Sequence, residues 1–241
     1  MPFPPVLPYA VALPVLAAGL YLSPAAWKPW AIQRLTRRCV ARRALVLTYD
    51  DGPGPGVTVE LLALLAEFGA KATFFLSGAR IEEHRALAES LVAQGHEVAS
   101  HGFHHLHAWK RGPIAVLRDA QRGGRAVDEV IQAALGGRER RGPMGFRPPS
   151  GKLVLATWLQ AKLLGRRIDW WTDDSGDSFA ELPLSSPALR LLERGGGVAL
   201  LHDLDRSSPR NEFVIDTTRA LLEGARERGL RTMTLAELHA G

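Results

Sequence analysis

An α/β fold built on a parallel sheet or barrel is predicted by three features of this 241-residue sequence. Short β-rich runs alternate with amphipathic helical runs from Ala44 onward, the pattern of repeated βα units. Two of the helical runs stop at a glycine, Gly69 and Gly95. Polar residues able to do chemistry collect just after the predicted strands, the end of a βα sheet where active sites form.

Strands are predicted at Ala44–Thr48, Ala72–Leu76, Glu97–Ser100, Gly145–Arg147, Arg167–Thr172, Val198–Leu201 and Leu230–Thr232. Between them, Val59–Phe68 repeats apolar residues at Leu61, Leu62, Leu64, Leu65 and Phe68, a helical spacing, and Arg85–Gln94 repeats it with Leu87, Leu91 and Val92. Further helices are predicted at Ile114–Ala134, Val154–Leu164, Ser186–Glu193 and Phe213–Arg228. With 46% hydrophobic residues the chain can bury one large core, and no internal repeat or long linker divides it.

Charge is distributed unevenly. Residues 1–27 carry none; then Lys28, Arg34, Arg37, Arg38, Arg42 and Arg43 all precede the first acid, Asp50. Apolar first and basic second is a membrane pattern, and the positive-inside rule puts the following domain on the cytoplasmic side of an inner membrane. The uncharged run Val6–Leu22 is short for a spanning helix and contains Pro14, and no cation precedes it as a secretory signal requires. Two units are therefore expected: 1–43, an apolar membrane-associated segment with a basic flank, and 44–241, the catalytic domain. A soluble N-terminal extension packed on the domain, cytoplasmic or periplasmic, is the alternative. The basic run Arg138–Arg141 comes with no nucleic-acid-binding motif, so nucleic acid is not an expected partner.

Cys39 is the sole cysteine, which excludes an internal disulfide and a thiolate metal cage. Any metal must sit on histidine and carboxylate. His101 and His105 stand four apart, the spacing that shares one face of a helical turn. Thr48-Tyr-Asp50-Asp51-Gly52-Pro53 runs from a strand into two adjacent carboxylates, whose side chains leave the strand toward different sides. Taken singly, the first motif reads as a solvated loop and the second as an Asp-rich turn. Together Asp51, His101 and His105 supply three ligands and leave a fourth position open, as a hydrolytic zinc site requires. Asp50 is then a general base, and His202, ending the apolar run Val198–Leu201, a general acid for a departing amine.

In this combination the chain from about Ala44 resembles the polysaccharide deacetylase family, the NodB-homology carbohydrate esterases. The family's T-F-D-D-G-P motif is matched by Thr48–Pro53 with Tyr49 for Phe, H-x-x-x-H by His101 and His105, R-x-P-x-G by Arg147-Pro148-Pro149-Ser150-Gly151, and L-x-H by Leu200-Leu201-His202. The resemblance implies a distorted (β/α) barrel with fewer than eight staves, and a divalent metal, zinc or cobalt, on Asp51, His101 and His105. It implies that Asp50 activates the attacking water, that Arg147 orients Asp50, that the Ser150 N–H helps stabilise the oxyanion, and that Asp174 or Asp177 polarises His202. Pro148, Ser150, Trp171 and Leu200 fall where substrate is bound. The W-x-x-D-x-x-D-W motif is kept only in part, as Trp171-Thr-Asp-Asp174-Ser-Gly-Asp177-Ser178, with Ser178 in place of an acyl-pocket tryptophan. Ser150 and Gly102 are further departures near the substrate.

The expected function is metal-dependent hydrolysis of an N-acyl group, acetyl in the first instance, from an amino sugar in a polysaccharide or lipid-linked glycan. The alternatives are a deformylase of a lipid-linked formamido sugar, a non-sugar amidase and a non-catalytic carbohydrate-binding relative. His84, His96, His104, His107 and His239 are read as exposed or structural, Trp109, Trp158 and Trp170 as packing, and Asp203 and Asp205 as solvated loop carboxylates.

Overall fold

The run Ala44–Asp50 is apolar on both of its faces, as a strand covered from two sides must be, and it forms β1, buried throughout. Alternate side chains go to opposite faces. Leu45, Leu47 and Tyr49 enter the core layer shared with the surrounding helices, while Ala44 and Val46 enter a second, inner cluster. Thr48 and Asp50 continue the inner face, so the pleat of β1 aims Asp50 into the barrel at the carboxyl end of the sheet.

The computed structural model describes residues 18–136 and 142–240. Most of the expected membrane segment Val6–Leu22, up to residue 17, and the run Arg138–Arg141 lie outside the described residues. The other strands are β2 (Thr73–Leu76), β3 (Glu97–Ser100), β4 (Gly145–Phe146), β5 (Arg167–Ile168), β6 (Asp173–Asp174), β7 (Gly197–His202) and β8 (Arg231–Thr232). All pairings are parallel, in the order β5-β4-β3-β2-β1-β7-β6, with β8 paired to the start of β1.

The two ends of that path are one extended segment. Arg167 and Asp169 donate backbone N–H groups to Met144 and Phe146 on the β4 side, whereas Thr172 and Ser175 donate to Val198 and Leu200 of β7. The segment changes partner at Trp170 and Trp171. One stave thus bonds to two different neighbours along its length, which is the distortion of this barrel, and it is why the strand expected at Arg167–Thr172 is regular only over Arg167–Ile168 and resumes beyond its expected end at Asp173–Asp174.

The helices described from end to end are α1 (Lys28–Arg42), α2 (Val57–Glu67), α3 (Gly78–Glu83), α4 (Arg85–Ala93), α5 (Pro113–Leu135), α6 (Leu155–Leu163), α7 (Arg190–Arg194), α8 (Ser208–Glu227) and α9 (Leu235–Ala240). The start of α8 lies five residues before the expected Phe213 because Pro209 occupies its first turn, where a proline costs no hydrogen bond. The helix expected at Ser186–Glu193 is a 3-10 turn, Pro187–Leu189, followed by α7.

α1 is a basic helix with a narrow apolar stripe. Leu35 and Cys39 pack into the inner cluster with Val46, Val198 and Trp170, so the expected division at Ala44 falls between two elements that share one core. α1 runs from the catalytic rim, where Lys28 Nζ donates to the Gly151 carbonyl at 3.4 Å, to the opposite end of the sheet, where Arg42 donates to the Leu238 carbonyl at 2.9 Å. Among the described residues no helix is long and apolar enough to cross a membrane.

Candidate active site

Five segments bring the expected residues to the rim. Asp50 ends β1 and His202 ends β7, directly across the register from it. Asp51 follows at φ +74°, outside the range most side chains adopt, and this turn separates the two carboxylates. Gly52 is required next, because a Cβ there would stand 2.2 Å from the Asp203 carboxylate.

Asp203 corrects the sequence reading. It is fully buried, accepting from Gly52 N at 3.1 Å and from Thr58 Oγ1 at 2.8 Å. Burial, added to by the charges of Asp51 and Asp50 and opposed by its hydrogen bonds, pushes its carboxyl up to about 7. Asp205 accepts from the N–H groups of Gly56 and Val57 and so caps α2. Neither is a solvated loop acid; both hold the turn that carries Asp50 and Asp51.

His101 and His105 do not share a helical turn. Residues 101–107 are irregular, and the rings reach a centroid separation of 5.0 Å because Gly102 sits at φ +81° and His105 at φ +54°. The buried Asp119 of α5 fixes the loop by accepting from Phe103 N and His104 N at 3.0 and 2.8 Å. Gly123, one turn further along α5, lets the helix approach the loop: a Cβ there would lie 2.2 Å from the Gly102 backbone.

His101 Nδ1 lies 2.9 Å from the Arg147 carbonyl oxygen, which can only accept, so Nδ1 carries the proton and Nε2 presents its lone pair. Burial, the largest effect, holds this ring neutral and takes its pKa down to about 3. Asp51 Oδ1 stands 3.6 Å from His101 Nε2 and 3.5 Å from His105 Nε2, and it is buried without a hydrogen-bond partner. An orphaned carboxylate oxygen is costly unless something positive meets it. The three ligand atoms lie within 4.8 Å of one another, a donor set and spacing that fit one divalent ion with a coordination position to spare.

Arg147, wholly buried inside the barrel, binds Asp50 Oδ1 at 2.7 Å, Thr48 Oγ1 at 2.9 Å and the Trp170 carbonyl at 3.2 Å. Its guanidinium carbon stacks 3.9 Å from the Phe75 ring centroid. Burial raises the pKa of Asp50, with Arg147 and then His202 pulling the other way.

Of the two carboxylates expected to polarise His202, the geometry selects Asp177. Its Oδ1 is 2.8 Å from His202 Nδ1, and its Oδ2 accepts the His202 backbone N–H. Asp174 instead accepts from Gly176 N. Burial alone would depress His202, but the Asp177 hydrogen bond and charge, with Asp50 and Asp51 behind them, push it up to about 9. Arg206 and Arg210 hold the Asp177 loop through its backbone carbonyls.

The positions assigned to substrate line the rim less evenly. Pro148 is buried and Ser150 exposed at φ +54°, Trp171 is half-buried, and Leu200 is packed in β7. Gly151 is required both by φ +62° and by space, since a Cβ would meet Lys28 Nζ at 2.6 Å and Trp171 at 2.7 Å. Ser178 is exposed.

Sequence reasoning missed Lys28, Asp119 and Arg206. Asp119 did leave a signal, as an acid in the apolar stripe Val116, Ala120, Val127 of α5.

The polysaccharide deacetylase family description matches residues 37–168, more than half of the chain. The chain belongs to the polysaccharide deacetylase family. This polysaccharide deacetylase is therefore a hydrolase of carbon–nitrogen bonds other than peptide bonds. It is 28% identical over 200 residues to a peptidoglycan-N-acetylglucosamine deacetylase of Bacillus cereus, covering 81% of this chain and 88% of that one. It is 34% identical over 160 residues to a chitooligosaccharide deacetylase of Sinorhizobium fredii, covering 66% and 72%. A crystal structure of a peptidoglycan N-acetylglucosamine deacetylase superposes with a TM-score of 0.70 at 22% identity, over 83% of this chain and 89% of that one, and shows the same distorted barrel.

Proposed function

We propose that this deacetylase removes the acetyl group from an N-acetylated amino sugar of a glycan, with zinc held by Asp51, His101 and His105. The observation that carries the reading is the buried, unpartnered Oδ1 of Asp51 facing two imidazole nitrogens, with Asp50 and His202 beside it. Its relatives named as deacetylases of peptidoglycan N-acetylglucosamine and chitooligosaccharide supply the substrate class.

A zinc ion bound there supplies Lewis acidity toward the amide carbonyl and makes water a stronger acid. Asp50 takes the proton of the attacking water, its carboxylate fixed by Arg147 and its basicity raised by burial. His202, protonated below about pH 9, donates to the departing nitrogen, which is a poor leaving group until it gains that proton. Asp177 keeps the His202 ring oriented and charged. Trp171, braced by Gly151 and Lys28, walls the sugar side.

Acetate release from N-acetylated chitooligosaccharide, assayed before and after chelation and on adding back zinc, tests the proposal. Loss with chelator and recovery with zinc is expected. Turnover that persists in chelator overturns it.

A lipid-carried amino sugar at the cytoplasmic face of an inner membrane is the second reading, favoured by the charge-free residues 1–27 ahead of six cations. The whole chain is expected in the membrane fraction of expressing cells, and a chain shortened to begin at Lys28 in the soluble fraction. Equal partition of the two would remove this location.

A further inference from the structure

A cavity of about 720 Å3, the size of a small-molecule site, lies between α1 and α6 beside the stave that changes partner. None of Asp50, Asp51, His101, His105, Arg147 and His202 lines it. Two helical stripes form its sides, Trp27, Ala31, Arg34 and Arg38 at one side and Leu155, Trp158 and Lys162 at the other, with Ile168 and Trp170 behind.

The wall is aromatic and aliphatic and the rim is cationic. Trp27 and Trp30 are 68% and 56% exposed, too open to be core. Leu159, Leu163 and Leu164, on the stripe adjoining Trp158 and Lys162, are exposed as well, so an apolar face continues outward from the mouth. Arg34, Arg38 and Lys162 have no carboxylate partner among the described residues; Arg38 meets only His239, and Arg34 and Lys162 lie over tryptophan rings. The one acid of the lining, Asp169, is buried and bound by Arg167.

We infer that this cavity seats one anionic membrane phospholipid, its phosphate on Arg34, Arg38 and Lys162 and its chains on the tryptophan and leucine wall. An apolar stripe with tryptophan and arginine at its border is the composition that meets the lipid interface, and each such cation adds attraction for an anionic headgroup. Tryptophan-lined grooves also take sugars, but a neutral glycan needs hydrogen-bonding carboxylates and amides around it, and here the only acid is already engaged. The leucines of the lining, Leu35, Leu153 and Leu155, give a sugar nothing to bind.

The test is calorimetric titration of the full chain with monomeric dihexanoyl phosphatidylglycerol, a short-chain lipid that forms no bilayer and so leaves surface adsorption out. Dihexanoyl phosphatidylcholine, inorganic phosphate and N-acetylchitotetraose are titrated in parallel. One saturable site for the phosphatidylglycerol is expected, with clearly weaker binding of phosphatidylcholine and phosphate. The variant Arg34→Glu/Arg38→Glu/Lys162→Glu should weaken it by about a hundredfold, from three cations at the membrane-surface scale. Ala31→Trp should block it by filling the cavity, with folding of both variants verified by circular dichroism. No binding overturns the proposal, as does equal affinity for phosphate or phosphatidylcholine, binding of the chitotetraose in place of lipid, or undiminished affinity in the charge-reversed chain. Because zinc-dependent acetate release is a separate readout, either result leaves the deacetylase reading to its own test.

Discussion

Asp50→Asn is expected to lower acetate release by about 10²–10⁴-fold, the usual contribution of a positioned general base, while zinc still binds one ion per chain. The separation follows from geometry. Asp50 gives Oδ1 to Arg147 and brings Oδ2 3.5 Å from His101 Nε2, whereas Asp51, at φ +74°, is the carboxylate within reach of both His101 and His105. An amide at position 50 keeps an acceptor for the guanidinium but cannot take a proton. It also leaves the buried charge of Arg147 without its counterion, and removing one partner of such a pair costs about 3–5 kcal/mol of stability. Acetate release, zinc stoichiometry and urea unfolding measured on the same preparation check all three effects. A variant that binds zinc, stays folded and deacetylates at the native rate removes Asp50 from the mechanism.

Asp177→Asn should act through pH. With Asp177 ionised against it, His202 remains protonated up to about pH 9 and can donate a proton throughout the neutral range. Without that charge, burial dominates and the imidazole pKa falls toward or below its ordinary 6.5. The alkaline limb of kcat then moves down by more than two pH units. At pH 8 the loss is on the order of thirtyfold for a value that returns to 6.5, and it is recovered on acidification. His202→Ala should lose as much at every pH, which separates a missing acid from a mistuned one. Stability follows the same sign: because the folded value lies above the unfolded 6.5, the protonated pair stabilises fully below about pH 6.5 and its contribution disappears as pH rises through about 9. A pH–rate profile of Asp177→Asn that superposes on the native one defeats the assignment.

The parts of this site legible in the sequence were those fixed by local chemistry. Strand pleat sets Asp50 and His202 at neighbouring rim positions, and the alternation of short strands with glycine-terminated helices announced the βα units. What stayed illegible depends on contacts far apart in the chain. Nothing near Asp203 says that it closes over Gly52 and Thr58, about 150 residues earlier, because a carboxylate after a strand has the same sequence whether it is solvated or buried. The choice between Asp174 and Asp177 depended on which carboxylate meets an imidazole at the end of the neighbouring strand, and only the fold of the loop after Asp174 decides it. α1 was hidden for another reason: its packing rests on a stripe as narrow as Ala31, Leu35 and Cys39 within a strongly basic segment, which reads as a flank rather than as core.

The course of α1 bears on where this enzyme can work. Its first residue, Lys28, touches Gly151 and Trp171 at the mouth, and its last reaches the far end of the barrel. The chain thus arrives at its catalytic doorway before it builds the barrel behind it. Any tether carried by residues ahead of Lys28 is fastened beside the opening, not at the back, and would act as a short leash that keeps the mouth against whatever surface holds the tether. Such a leash favours glycans presented close to that surface over polymer strands standing well away from it.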